Sequence, residues 1–299
     1  MRNGIVALTA LVAMTASAAP ADAQQTGEPC DLLPNPTRTL NISNQGTPAE
    51  SWFITEAVLV CPGGRRIVAD TATYSLAASQ ITLNGDVEVD DIDRSLRSEF
   101  AQYFTESGQL HARTDVVLRE TRNGSVIMSE LLDIYQETPE RESLLIATGG
   151  RPRAIMYEQA ETPAGAEPLM AEPAIEEIVA GAPRDSTILD AQEIRITGGQ
   201  SFRGTGNAVL LRDSLTATAQ AIEFNDSTRR MDLMGSAVVQ LPTQELRGDT
   251  ITATVDASDQ IDEVLAMHNA SLQAEDLNVT APAIRLMFAD GGIERLVAM

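Results

Sequence analysis

From Ile81 to Val89 the chain reads Ile-Thr-Leu-Asn-Gly-Asp-Val-Glu-Val, apolar and polar by turns, with a glycine in one apolar slot. Side chains of a β-strand alternate between its two faces, so this stretch predicts a half-buried strand with a glycine at its centre. The pattern returns from Leu110 to Leu118, Phe202 to Leu210, Met231 to Val239 and Val264 to Leu272. Gly85 to Thr114 and Gly206 to Gly235 are each 29 residues apart, and Gly235 to His268 is 33. A period of that length is one supersecondary unit stacked on its neighbours. Each unit reads as strand, short turn and second strand, and the recurring glycine suggests a bend or bulge inside the strand.

In chain order, Trp52 to Cys61 is the first apolar strand, with Trp52 placed to plug the N-terminal end, and Ile67 to Leu76 follows. Residues 158–174, rich in Pro, Ala and Glu, break the rhythm as a segment that buries little apolar surface does. Rhythm resumes at Ile175-Glu176-Glu177-Ile178. Ahead of all this, Arg2, the apolar run Ile5 to Met14 and small residues ending in Ala21-Asp22-Ala23 predict a cleaved export signal. The expected organisation is therefore a signal over 1–23, a first β segment over 24–157, a linker or long loop over 158–174 and a second β segment over 175–299. The two segments are coaxial or hinged at the linker.

Alternation selects one inward face. In the first segment it carries Ala72, Tyr74, Ile81, Leu83, Val87, Val89, Tyr103, Leu110, Val116 and Leu118. In the second it carries Ile194, Ile196, Phe202, Leu210, Ile222, Phe224, Met231, Leu233, Val239, Ile251, Val264 and Leu272. Ala and Val are common on this face, which on one reading leaves space between two walls and on the other suits a narrow dry core of stacked coils.

Charge and cysteines then narrow the function. A formal net charge of -22 leaves no basic patch for nucleic acid, and most acids fall at outward positions such as Asp86, Glu88, Asp115 and Glu223. Two cysteines in an exported chain suggest one disulfide, Cys30 to Cys61, the alternative being two free thiols. His111 and His268 are too far apart in sequence, and too far from the cysteines, to show metal-ligand spacing. Neither a catalytic set nor a cofactor motif emerges, so no enzyme and no cofactor are expected. Asp70 and Asp249 occupy equivalent inward-parity positions and read as turn or rim residues bonded to backbone.

Ala69-Asp70-x-Ala72-x-Tyr74 followed by Gly85-Asp86-Val87, together with Gly206-Asn207-Ala208 and Gly235-Ser236-Ala237, resembles the OstA-like family of periplasmic lipopolysaccharide-export proteins. That family includes LptA, LptC and the N-terminal domain of LptD. The resemblance covers Trp52 to Met299 apart from the linker, and Thr114 and His268 stand where the family pattern has glycine. It implies a repetitive β-jelly roll of stacked V-shaped antiparallel strand pairs, open along one side, whose apolar groove holds acyl chains. It also implies a periplasmic location, lipopolysaccharide or another acyl lipid as ligand, and OstA-like partners joined by edge-strand addition. The same edge contact allows head-to-tail self-association at Leu296-Val297-Ala298-Met299, which matches Val264-Leu265-Ala266-Met267 without a following corner residue. The alternative function is a structural or assembly scaffold of the envelope whose sheets pack dry.

Overall fold

The computed structural model describes residues 30–33, 38–61, 64–121, 123–157, 186–199, 201–225, 227–256, 261–289 and 292–299. The expected export signal, the linker and the resumption at Ile175 lie outside them. Among the described residues the protein is all-β, with nineteen strands. In order they are β1 (Asp31–Leu32), β2 (Leu40–Ser43), β3 (Ser51–Val60), β4 (Arg66–Ser75), β5 (Gln80–Asp90), β6 (Arg94–Phe104), β7 (Gln109–Glu120), β8 (Val126–Tyr135), β9 (Leu144–Thr148) and β10 (Arg153–Tyr157). There follow β11 (Ser186–Asp190), β12 (Glu193–Thr197), β13 (Ser201–Arg212), β14 (Leu215–Asn225), β15 (Arg230–Leu241), β16 (Gln244–Val255), β17 (Ile261–Ala274), β18 (Leu277–Ala289) and β19 (Gly292–Ala298).

All pairings are antiparallel, and from β3 to β8 and β13 to β19 each strand pairs with the next in sequence. In the middle, β8 pairs with β10 through residues Val126 to Met128 and with β9 through Leu131 to Tyr135, so β9 and β10 act as two halves of one strand. The halves β12 and β11 stack on them in turn and are followed by β13. The stack therefore runs through without interruption. Tyr157 pairs directly with Ser186. Arg153 donates to both carboxylate oxygens of Asp190 across this pair, at 2.7 and 2.8 Å. Loop-closure entropy rises only slowly with length, so an insertion at a strand end costs the ladder little.

Every long strand bends at its middle. On β5, β7, β13, β15 and β17 the bend falls on two consecutive residues with positive φ: Gly85-Asp86, Thr114-Asp115, Gly206-Asn207, Gly235-Ser236 and His268-Asn269. These are the positions at which the sequence pattern placed its glycines. The register slips by one residue at each of them, because the bent strand carries one more residue than its neighbours. A bulge of this kind increases the local bend and twist. Gly235 shows why glycine suits the corner. Its φ is +82°, and a Cβ there would lie 2.8 Å from Cγ and 2.9 Å from Cβ of Gln220 on the adjacent strand. Asp70 and Asp249, expected at inward parity as turn or rim residues bonded to backbone, instead lie within β4 and β16 and are exposed, Asp249 accepting from the Asn269 side-chain amide.

The bend gives each layer two arms. Strand segments before the corner of β3, β5 and their equivalents stack as one wall and those after it as the other, and the inward faces of both walls form a single apolar cluster. At the N-terminal end the short strands β2 and β1 lie on the two halves of β3 as a closing half-layer, tied down by the Cys30–Cys61 disulfide.

Candidate functional site: an apolar trough between two arms

The ladder registers sort the inward side chains into columns along the stack. On one arm, the column farther from the corner runs Tyr74, Ile81, Tyr103, Leu110, Ile134, Leu145, Ile196, Phe202, Phe224 and Met231. The column beside it, nearer the corner, includes Ala72, Leu83, Ala101, Ala112, Leu132, Ala147, Ile194, Gly204, Ile222, Leu233 and Ile251. On the other arm an outer column pairs Leu59 with Ile67, Ile67 with Val89, Val89 with Leu96 and Leu96 with Leu118, and continues through Leu189, Leu210, Ala217, Val239, Leu246 and Leu272. Of the residues expected from alternation on the inward face, all but Phe224 belong to this apolar cluster or pack against it, and Phe224 is half-buried and stacked on Phe202 with ring centroids 5.4 Å apart.

The fourth column, next to the corner, is made of small residues: Ala57, Ala69, Val87, Ser98, Val116, Ala208, Ala219, Ala237, Gly248 and Ala270, all buried. Small side chains here let the arms converge at the vertex, since a bulky one would force them apart. Contact between the arms is direct at Gly204, where a Cβ would meet Leu189 Cδ1 at 3.1 Å and Ala191 Cβ at 3.2 Å.

Alternation missed half of each even-numbered strand. The corner takes one residue fewer there, so the inward set jumps three positions, from Ala69 to Ala72, Ser98 to Ala101, Ala219 to Ile222 and Gly248 to Ile251. Only the second half of β4, β6, β14 and β16 kept the expected parity. Ile67, Leu96, Ala217 and Leu246 are consequently core residues that a single period of two passes over.

Away from the vertex the arms separate and enclose three cavities. The first, of about 270 Å³ and mostly apolar, lies at the N-terminal end between Cys30, Leu32, Trp52, Ile54, Leu59, Ala72, Tyr74 and Ile81. Trp52 forms part of its wall, edge-on to Tyr74 at 6.0 Å, with its Nε1 donating to Glu50 at 2.5 Å. The second, of about 260 Å³, is bounded by Arg65, Val89, Leu96, Tyr103, Leu110, Leu118 and Ile134, with acidic residues at its mouth. The third, of about 180 Å³, continues from it, sharing Arg94, Leu118, Tyr135 and Ser143, and reaches Ile155, Ile196 and Phe202.

The mouth over the first layers is charged. Arg65 donates to Asp91 Oδ2 at 2.8 Å, Arg94 lies 3.7 Å from Glu120, and Arg65 also donates to the Tyr103 hydroxyl at 2.9 Å. Burial alone would raise the Asp91 pKa. Hydrogen bonds from Arg65 and from the Ile92 N–H, with the charges of Arg65 and Arg94, outweigh it and hold the carboxyl below its usual range. Farther along, the rim turns apolar, with Leu215 and Leu241 half-buried and Leu277 exposed.

His111 sits on the outer face, its Nδ1 2.6 Å from Asp133 Oδ1 and its ring edge-on to Phe104 and Tyr135. Among the described residues no three His, Cys, Asp or Glu side chains converge as a metal site would require.

No family model and no curated protein matches the chain. Among solved structures, a similar one is LptH from Pseudomonas aeruginosa, described as the LptA-homologous periplasmic component of the conserved lipopolysaccharide transport device. It is 11% identical, covers 75% of this chain and 95% of its own, and has a TM-score of 0.17. Similarity of that degree carries no functional argument.

Proposed function

We propose that this protein binds the acyl chains of a lipid, with lipopolysaccharide as the first candidate, in the trough between its arms and carries it across the periplasm. The observation that bears the reading is the uninterrupted run of inward apolar columns joined to a chain of cavities. Tyr74, Ile81, Leu110, Ile196, Phe202 and their column neighbours are the residues we assign to the acyl chains. Transfer of one CH₂ from water is worth about 0.8 kcal/mol, so about a dozen carbons supply about 9 kcal/mol before ordering costs. Burial alone suffices, and no reacting group is needed.

Partners of the same strand architecture would join at the C-terminal edge. There β19 lies on β18 from Ala283, which exchanges backbone hydrogen bonds with Met299, to Ala289, and is the edge strand of the sheet among the described residues. Unpaired backbone of this kind is a template for strand addition.

A dry envelope scaffold is the second reading, favoured by the closeness of the arms at Gly204. Delipidated protein titrated with a fluorescent acyl lipid separates the two. Saturable uptake, displaced by lipopolysaccharide, supports the carrier, and absence of saturable uptake removes it in favour of the scaffold.

A further inference from the structure

The N-terminal cavity and the pair beyond it do not run together. Arg65, in the turn before β4 at the rim of one arm, lines the second cavity and reaches to Tyr103 on the other arm. Its guanidinium is held on three sides. It donates from Nε and Nη2 to Asp91 at 3.2 and 2.8 Å, from Nη1 to the Tyr103 hydroxyl at 2.9 Å, and lies 5.1 Å from the centre of the Tyr103 ring. The Arg65 side chain is only 14% exposed, and Tyr103 is 6% exposed. Tyr103 pairs with Ile81, which lines the first cavity, while Tyr103 and Arg65 line the second.

We propose that Arg65 and Tyr103 form a septum across the trough that sets the length of acyl chain the larger compartment accepts. The proposal rests on the lipid-binding reading and adds a determinant of specificity to it. A chain entering among Leu96, Leu110 and Leu118 runs toward the N-terminal end until it meets the guanidinium. A methylene pressed against a charged, hydrogen-bonded group gains no burial, because the carbons beyond that point displace polar partners or fold back into water. The cavity of about 270 Å³ on the far side is large enough to hold hydrocarbon, given that an apolar cavity of about 150 Å³ binds benzene. Opening the septum should therefore add usable length.

The test is a titration of the full chain with lysophosphatidylcholines of increasing acyl length, below their critical micelle concentrations. Affinity should rise about fourfold with each added methylene and then level off, the plateau marking the septum. In Arg65→Met the plateau should move to chains at least two methylenes longer, so that the longest lipids bind about sixteenfold more tightly than to the parent protein while short ones are unchanged. Tyr103→Phe, which keeps the ring and removes the hydroxyl that accepts from Arg65, should move it in the same direction by less. The β circular dichroism signal and the Cys30–Cys61 linkage, checked in each variant, report that the fold is kept. A parent protein that binds with a plateau which neither folded variant moves overturns the septum and leaves the carrier standing. A parent protein that binds no lysolipid overturns both.

Discussion

Replacing Gly235 by alanine puts a methyl group where the corner has no room for it. A left-handed backbone costs an L-residue about 1–2 kcal/mol. The added Cβ would also lie 2.8 Å from Cγ and 2.9 Å from Cβ of Gln220. Those atoms are the root of the side chain rather than its mobile end, and overpacking of this kind costs about 1–3 kcal/mol. Alanine's smaller freedom in the unfolded chain returns about 0.4–1 kcal/mol. The expected loss is about 2–4 kcal/mol, read as a fall in the urea midpoint followed by circular dichroism. Pairing the change with Gln220→Gly removes the clash and leaves the backbone term, so the double variant should recover about half of the loss beyond the cost of Gln220→Gly alone. Thr114→Gly is the converse. Thr114 is exposed with φ of +67°, a poor conformation for a β-branched residue, and glycine there should gain about 0.5–1 kcal/mol net of its own entropy. A Gly235→Ala protein within about 0.5 kcal/mol of the parent would show that side-chain room does not decide the corner.

Two further outcomes follow from the assigned faces and charges. Leu83→Asp buries an unpaired carboxylate where Leu83 is fully buried and should abolish folding or lipid uptake, whereas Glu88→Lys on the outer face, which exchanges an exposed ion pair with Arg97 for a like-charge pair across the ladder, should cost at most about 1 kcal/mol by urea titration. If Glu88→Lys proves as damaging, the face assignment fails. Asp91 and Asp232 have carboxyl pKa values lowered against burial, Asp91 by Arg65, Ile92 N–H and Arg94, and Asp232 by Arg230 and the Thr252 hydroxyl. With folded values below the unfolded one of about 3.9, their contribution is present above that pH and is lost as pH falls through the folded values. An acid titration of Asp91→Asn should therefore show a shallower loss of stability below about pH 4 than the parent. An unchanged slope would refute the assignment to Asp91.

Strand order, the repeat and the corner glycines were legible because each rests on local chemistry: a period of two, turn residues, and a residue tolerant of positive φ. The first halves of β4, β6, β14 and β16 were not, because Ile67, Leu96, Ala217 and Leu246 follow a parity that resets at the corner only after the partner strand has supplied its extra residue. Arg65 was equally opaque. Its meeting with Tyr103 joins residues 38 apart on opposite arms, and nothing in either neighbourhood marks them. The small inward residues were visible from the start, but their meaning depends on distance from the vertex, which alternation does not measure.

That vertex column is not uniform along the molecule. It begins with Ala57 and Ala69, is bulkier at Val87, Ser98 and Val116, and returns to Ala208, Ala219, Ala237, Gly248 and Ala270. The three cavities described lie among residues up to Phe202. A stack built from one repeated unit is thus unequal along its length, and its two ends are distinguishable before any charge or partner marks them.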